Sequence, residues 1–107
     1  MSNIDILTTL ESLLEERKSA DPDISYVARL YKKGSDKIAQ KVGEEAVETA
    51  MATAKGDDEE LAKEAADLLF HLMVLLKSKD MNLEDVAKEL ARREGISGLT
   101  EKASRSE

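Results

Sequence analysis

Five carboxylates fall into a pattern that suits metal-assisted chemistry. Glu44, Glu45 and Glu48 form one acidic group and Glu64 and Asp67 a second, on either side of Gly56. At 100° per residue the first three occupy one arc of about 100° on a helix, opposite a small apolar face carrying Ala39, Ala46 and Ala50. Glu64 and Asp67, three residues apart, share a face of the next helix. Glu48 stands eight residues before Gly56 and Glu64 eight after it; Glu45 and Asp67 stand eleven residues away on either side. An antiparallel hairpin folded at Gly56 therefore sets each pair at one height, where helices about 8 to 10 Å apart let facing carboxylates converge. Like charges brought together repel, and some protonate unless a cation holds them ionised. An all-oxygen set suits a hard cation, and Mg2+ with retained waters and phosphate oxygens fits it better than zinc. The Glu-x-x-His pairs of a ferritin-like di-iron site are absent. Each carboxylate alone is an ordinary surface residue, but clustered like charges at i+3 and i+4 destabilise a helix unless something offsets them. His71, four residues after Asp67 and inside an apolar run, is expected in the core or supporting a ligand rather than binding metal itself.

Upstream, Arg29, Lys32, Lys33, Lys37 and Lys41 concentrate positive charge, and Lys37 and Lys41 share a helix face with Glu44 and Glu48. A cation site adjoining a basic stripe is what a polyphosphate requires, because the side chains take the phosphoryl oxygens that the metal leaves. The same spacing also serves plain i, i+4 ion pairing along the helix. No Gly-rich phosphate loop is present.

The elements that must position these groups are helices. One Pro, Pro22, and Gly residues placed between apolar-periodic stretches divide the chain into five pieces. The first runs from about Asn3 to Lys18, with Ile6, Leu10, Leu13 and Leu14 as its buried stripe. A short helix follows the N-cap Ser25 and stops at Gly34. The third helix covers about Ser35 to Lys55, and the fourth begins at Asp57 or Asp58, where an acidic first turn complements the helix dipole. A fifth opens at Asn82, with Asp85 at its third position and Met81 and Val86 spaced as a hydrophobic staple. The expected architecture is all-α over residues 1–96, a helical hairpin core completed to a bundle by homodimerisation. The reason for the dimer is the run Leu68 to Leu76, apolar around its whole circumference except at His71, which a chain this short has difficulty covering alone. Residues 97–107 are small, polar and charged, and predict a mobile tail. The basic Arg92, Arg93, Lys102 and Arg105 suit closure over a bound polyanion.

Composition bounds the rest. At 107 residues the chain is one domain, and 41% hydrophobic with 3% aromatic residues allows a modest aliphatic core. The absence of Cys removes disulfides, thiolate metal sites and cysteine nucleophiles. A net charge of -7 disfavours nucleic acid and anionic membranes as partners. No apolar run has transmembrane length and no basic leader opens the chain, so a cytoplasmic location is expected.

The stretches Ser25-Tyr26 through Leu30-Tyr31, Gly34-Ser35-Asp36-Lys37-Ile38, Lys41-Val42-Gly43-Glu44-Glu45-Ala46-Val47-Glu48 and Glu64-Ala65-Ala66-Asp67-Leu68-Leu69 resemble the phosphoribosyl-ATP pyrophosphohydrolases of histidine biosynthesis. The ending Arg92-Arg93-Glu94-Gly95 and Glu101 to Arg105 resembles that family too. The Glu-x-x-Glu and Glu-x-x-Asp pair alone is shared by the wider all-α nucleoside triphosphate pyrophosphatases, including MazG-like enzymes. The resemblance implies Mg2+-dependent hydrolysis of phosphoribosyl-ATP to phosphoribosyl-AMP and pyrophosphate in a dimeric all-α fold. By motif position it implies Glu45, Glu48, Glu64 and Asp67 as metal ligands, with Glu44 supporting them or activating water. With no Cys for a fused cyclohydrolase domain, a separate cyclohydrolase is expected to act on the product. A MazG-like triphosphatase of broader specificity and a noncatalytic helical dimerisation module are the alternatives.

Overall fold

Local capping decides where each helix starts and stops. The computed structural model describes residues 2–94, all of them helix, turn or irregular chain with no strand among them. Short 3-10 turns at Asn3–Asp5 and Arg17–Ser19 flank α1, Ile6–Glu16. Helix α2, Tyr26–Lys33, starts where the Ser25 hydroxyl accepts the Ala28 N–H at 3.1 Å, and it ends at Gly34, whose φ of +94° an L side chain rarely adopts. Helix α3, Ser35–Lys55, closes on Gly56 with two backbone bonds, Gly56 N–H to Thr53 and Asp57 N–H to Ala52, the Schellman arrangement. Asp57 then caps α4, Asp58–Ser78, by accepting the Glu60 N–H at 3.0 Å. One helix is thus finished and the next begun within two residues, which holds α3 and α4 antiparallel as the most extensive packing pair.

Helix α5, Leu83–Glu94, has a reciprocal cap: Asn82 N–H bonds Asp85 Oδ2 at 3.0 Å and Asp85 N–H bonds Asn82 Oδ1 at 3.4 Å. Its Leu83 N–H also donates to Glu11 Oε2 on α1, and Leu83 packs on the core, yet no residue of α5 is fully buried. Residues 97–107, expected as a mobile tail, lie outside the described residues together with Lys102 and Arg105. Arg92 and Arg93 lie on α5, where both bond the Glu89 carboxylate and hold its pKa down at about 2.

Leu14, Leu30, Ile38, Met73 and Val74 form the core, one residue or more from each of α1 to α4. The Tyr31 hydroxyl donates to the Leu14 carbonyl at 2.9 Å, and burial raises the phenol pKa. On α1 the buried stripe is Leu7, Leu10 and Leu14, while Ile6 and Leu13 are exposed, which corrects the expected set. Both sets have helical spacing, and the packing of α2 and α4 selects between them. On α3 the face turned inward carries Ile38, Glu45 and Ala52; Ala39, Ala46 and Ala50 face outward. The acidic face, not the alanine face, meets the neighbouring helix. In the apolar run of α4, only His71, Met73 and Val74 are buried; Leu68, Phe70, Leu72, Leu75 and Leu76 are half-buried and Leu69 is exposed. Among the described residues no helix is long and apolar enough to cross a membrane.

Candidate metal centre and cationic cleft

Three of the expected carboxylates meet across the hairpin. Glu45 and Glu48 from α3 and Glu64 from α4 each offer an oxygen within 4.8 Å of the others. Glu45 is buried, Glu64 half-buried and Glu48 exposed, so the group runs from the helix interface to the surface. Two of its oxygens, Glu45 Oε2 and Glu64 Oε2, are hidden from solvent with no hydrogen-bond partner. Burying such atoms unpartnered is unfavourable, and a donor or a bound cation would relieve it. The Glu48 carboxyl lies close enough to share a proton with Glu64; together with burial and the charges of Glu48, Asp67 and Glu45, it raises the Glu64 pKa above the ordinary carboxylate range. An all-oxygen donor set under mutual repulsion fits a hard divalent cation.

The Asp67 side chain is exposed and stands outside the trio, near enough only for its charge to act on Glu64. A three-residue step on α4 turns Asp67 about 60° from Glu64. Glu44 is also exposed; Gln40 Nε2 donates to its Oε2 at 3.1 Å. Lys41 connects the two groups, with Nζ 3.7 Å from Glu45 Oε1 and 3.9 Å from Glu44 Oε1.

From Lys41 a cleft of about 590 Å3 opens between α2 and α3, lined by Tyr26, Leu30, Lys33, Lys37, Gln40, Lys41 and Glu44. Of the five cations expected to bind phosphate, Lys33, Lys37 and Lys41 line this cleft. Arg29 and Lys32 do not; they line a neighbouring cavity that shares Lys33. The sequence reading missed Tyr26 and Gln40 as cleft residues. The available signal was position, since Tyr26 and Lys33 are seven residues apart and share the face of α2 that meets the lysines of α3.

His71 is buried beneath the cleft. Its Nδ1 lies 2.7 Å from the Asp67 carbonyl, which can only accept, so the proton sits on Nδ1. In the neutral ring Nε2 then accepts from the Tyr26 hydroxyl, 2.9 Å away. His71 packs edge-on to Phe70 and Tyr26 and holds the phenol in place.

The family model described as phosphoribosyl-ATP pyrophosphohydrolase matches residues 7–94, spanning α1 to α5 and the whole acidic and basic constellation. The chain belongs to this family. A phosphoribosyl-ATP pyrophosphatase of Novosphingobium aromaticivorans is 58% identical over 106 residues, covering 99% of each chain. One from Rhizorhabdus wittichii is 59% identical over 99 residues, 92% of this chain and 93% of its own. One from Neisseria gonorrhoeae is 52% identical over 102 residues, 95% of each.

Proposed function

We propose that the trio Glu45, Glu48 and Glu64, with Asp67 at its border, holds Mg2+ for the hydrolysis of phosphoribosyl-ATP to phosphoribosyl-AMP and pyrophosphate in histidine biosynthesis. The observation that carries this reading is the pair of buried, unpartnered oxygens on Glu45 and Glu64. The protein is a hydrolase of that family. When bound, the ion supplies charge neutralisation at the phosphoryl oxygens.

The chain's own side chains divide the remaining work. Lys33, Lys37 and Lys41 bind the polyphosphate along the cleft and offset the charge that moves onto pyrophosphate as it leaves. Water attacks the α-phosphorus in line, the α–β phosphoanhydride bond breaks, and the proton of the attacking water passes to a carboxylate. We assign that proton to Glu44, which lines the cleft and accepts a hydrogen bond from Gln40. The test is pyrophosphate release from phosphoribosyl-ATP, with ATP and other triphosphates alongside. Release that needs Mg2+ and prefers phosphoribosyl-ATP is expected. Undiminished turnover in excess chelator rules out the metal, and equal turnover of all triphosphates returns the chain to a broad MazG-like activity.

The raised Glu64 pKa predicts how Mg2+ and pH interact. Without metal, this group's contribution to stability is fully present below about 4.5, its ordinary value, and is lost as pH rises through the raised folded value. Mg2+ binds the ionised form, so the rise in Tm on adding Mg2+ is expected at pH 7 and should shrink as pH falls toward 4.5. Glu89 and Asp80, whose lowered pKa values act in the opposite sense, cancel in the comparison with and without Mg2+. A Tm increment that stays constant across this range contradicts the metal assignment.

We also propose that two copies pair through the faces that one chain leaves open, and that the enzyme works in the cytoplasm with a separate cyclohydrolase consuming its product. Val47 and Met51 on α3 are 59% and 54% exposed, and the half-covered leucines of α4 are a further uncovered apolar surface. Val47→Glu should therefore keep its helical content yet sediment as a monomer at micromolar concentration, where the unmodified protein is a dimer. An unmodified protein that sediments as a monomer sinks this assembly.

A further inference from the structure

A second cationic cavity of about 400 Å3, lined by Pro22, Asp23, Arg29, Lys32 and Lys33, lies beside the cleft, with Lys33 common to both. Among the described residues, no carboxylate forms an ion pair with Arg29, Lys32 or Lys33. In a chain of net charge -7, three cations grouped without a carboxylate partner favour an external anion. Arg29 is not loose: Nη1 donates to the Pro22 carbonyl at 2.9 Å, and its guanidinium carbon lies 6.0 Å from the centre of the Tyr26 ring. That leaves other guanidinium N–H groups for a ligand. Tyr26 itself is 44% exposed and held by His71 through its hydroxyl, so its ring is a fixed surface that lines the first cleft and meets Arg29 of the second cavity.

The substrate has the matching layout. Phosphoribosyl-ATP is anionic at two ends, a triphosphate and the phosphate monoester of a second ribose, with the adenine ring system between them. ATP lacks the second end. We infer that the second cavity is the phosphoribosyl subsite: Arg29 and Lys32 take the remote phosphate, Asp23 accepts hydrogen bonds from the ribose hydroxyls, and the ring system lies against Tyr26. Lys37 and Lys41 serve the triphosphate, and Lys33 stands where the two arms diverge. This assignment rests on the substrate reading above and adds the residues that separate phosphoribosyl-ATP from ATP.

The test compares kcat/KM for phosphoribosyl-ATP and for ATP in the unmodified enzyme, in Arg29→Gln/Lys32→Gln and in Lys37→Gln. A lost charge-assisted contact to phosphate is worth about tenfold or more in affinity. The double variant should raise KM for phosphoribosyl-ATP and cut the preference for it over ATP by about tenfold or more. Lys37→Gln should lower both substrates in parallel and keep the preference. Because Arg29 also ties down Pro22, Lys32→Gln alone, at an exposed position, must shift the preference in the same direction with unchanged Tm, and Arg29→Lys should restore part of it. Equal losses on both substrates in the double variant, or none, overturn the subsite while leaving the substrate reading standing. An unmodified enzyme with no preference overturns both.

Discussion

Glu64→Gln and Glu48→Gln are each expected to lower turnover of phosphoribosyl-ATP by about 10²-fold or more, the equivalent of several kcal/mol of transition-state stabilisation. Neither should lower the Tm of the metal-free protein. The two carboxyls sit close enough to share a proton, and Glu64 is held above its ordinary pKa by that neighbour, so removing one charge relieves repulsion that the folded hairpin otherwise carries at neutral pH. The stabilisation due to added Mg2+ should shrink in the same variants. Circular dichroism, thermal melts with and without Mg2+, and pyrophosphate release give the three readings. A variant that retains near-complete turnover at limiting Mg2+ does not carry a ligand, and one that melts well below the unmodified protein shows a structural role instead.

Ile38→Ala should be the most damaging simple truncation in the helix that carries the site. Ile38 is fully buried on α3, between Lys37 and Lys41, and packs with Leu14, Leu30, Met73 and Val74. Deleting its methyl groups leaves a cavity that α1, α2 and α4 cannot all collapse into, at a cost of about 2 to 5 kcal/mol. Against a total of about 5 to 15 kcal/mol for a domain of this size, that removes a large part of the margin and lowers Tm by about 10 °C or more. Protein concentration must be held fixed, since self-association shifts Tm. Ile24→Ala is the matched control at a side chain 84% exposed, and should leave Tm nearly unchanged. Similar melting of the two variants places the core elsewhere.

The elements were legible where a residue acts on its own backbone. Ser25, Gly34, Gly56, Asp57 and the Asn82 and Asp85 pair each set a helix end through a local bond or a positive φ, and each did so at the position its residue type implies. The meeting of Glu48 with Glu64 was legible for a related reason: in a hairpin with a tight turn, counting residues from Gly56 fixes height. What counting cannot supply is rotation. Ile6 and Leu13 share helical spacing with Leu10 and Leu14 but end outside the core, and Asp67 shares a height with Glu45 but stands outside the trio. Lys32 and Lys33 are adjacent in sequence and about 100° apart on α2, so Lys33 lines both cavities and Lys32 only the second. Tyr26 and His71, 45 residues apart, are joined only by tertiary packing, which no local spacing announces.

Helix α5 is attached differently from the others. It contributes Leu83 to the edge of the core, has no fully buried residue, and its first N–H is held by Glu11 on α1. A segment with so little buried surface opens at a lower free energy than the hairpin, as a separate cooperative unit. Its amides should therefore exchange with solvent deuterium well before those of α4, at a rate set by local opening rather than by global unfolding. Glu11 acts as the latch on that opening, so the exchange of α5 can be changed from α1 without disturbing the carboxylates of α3 and α4.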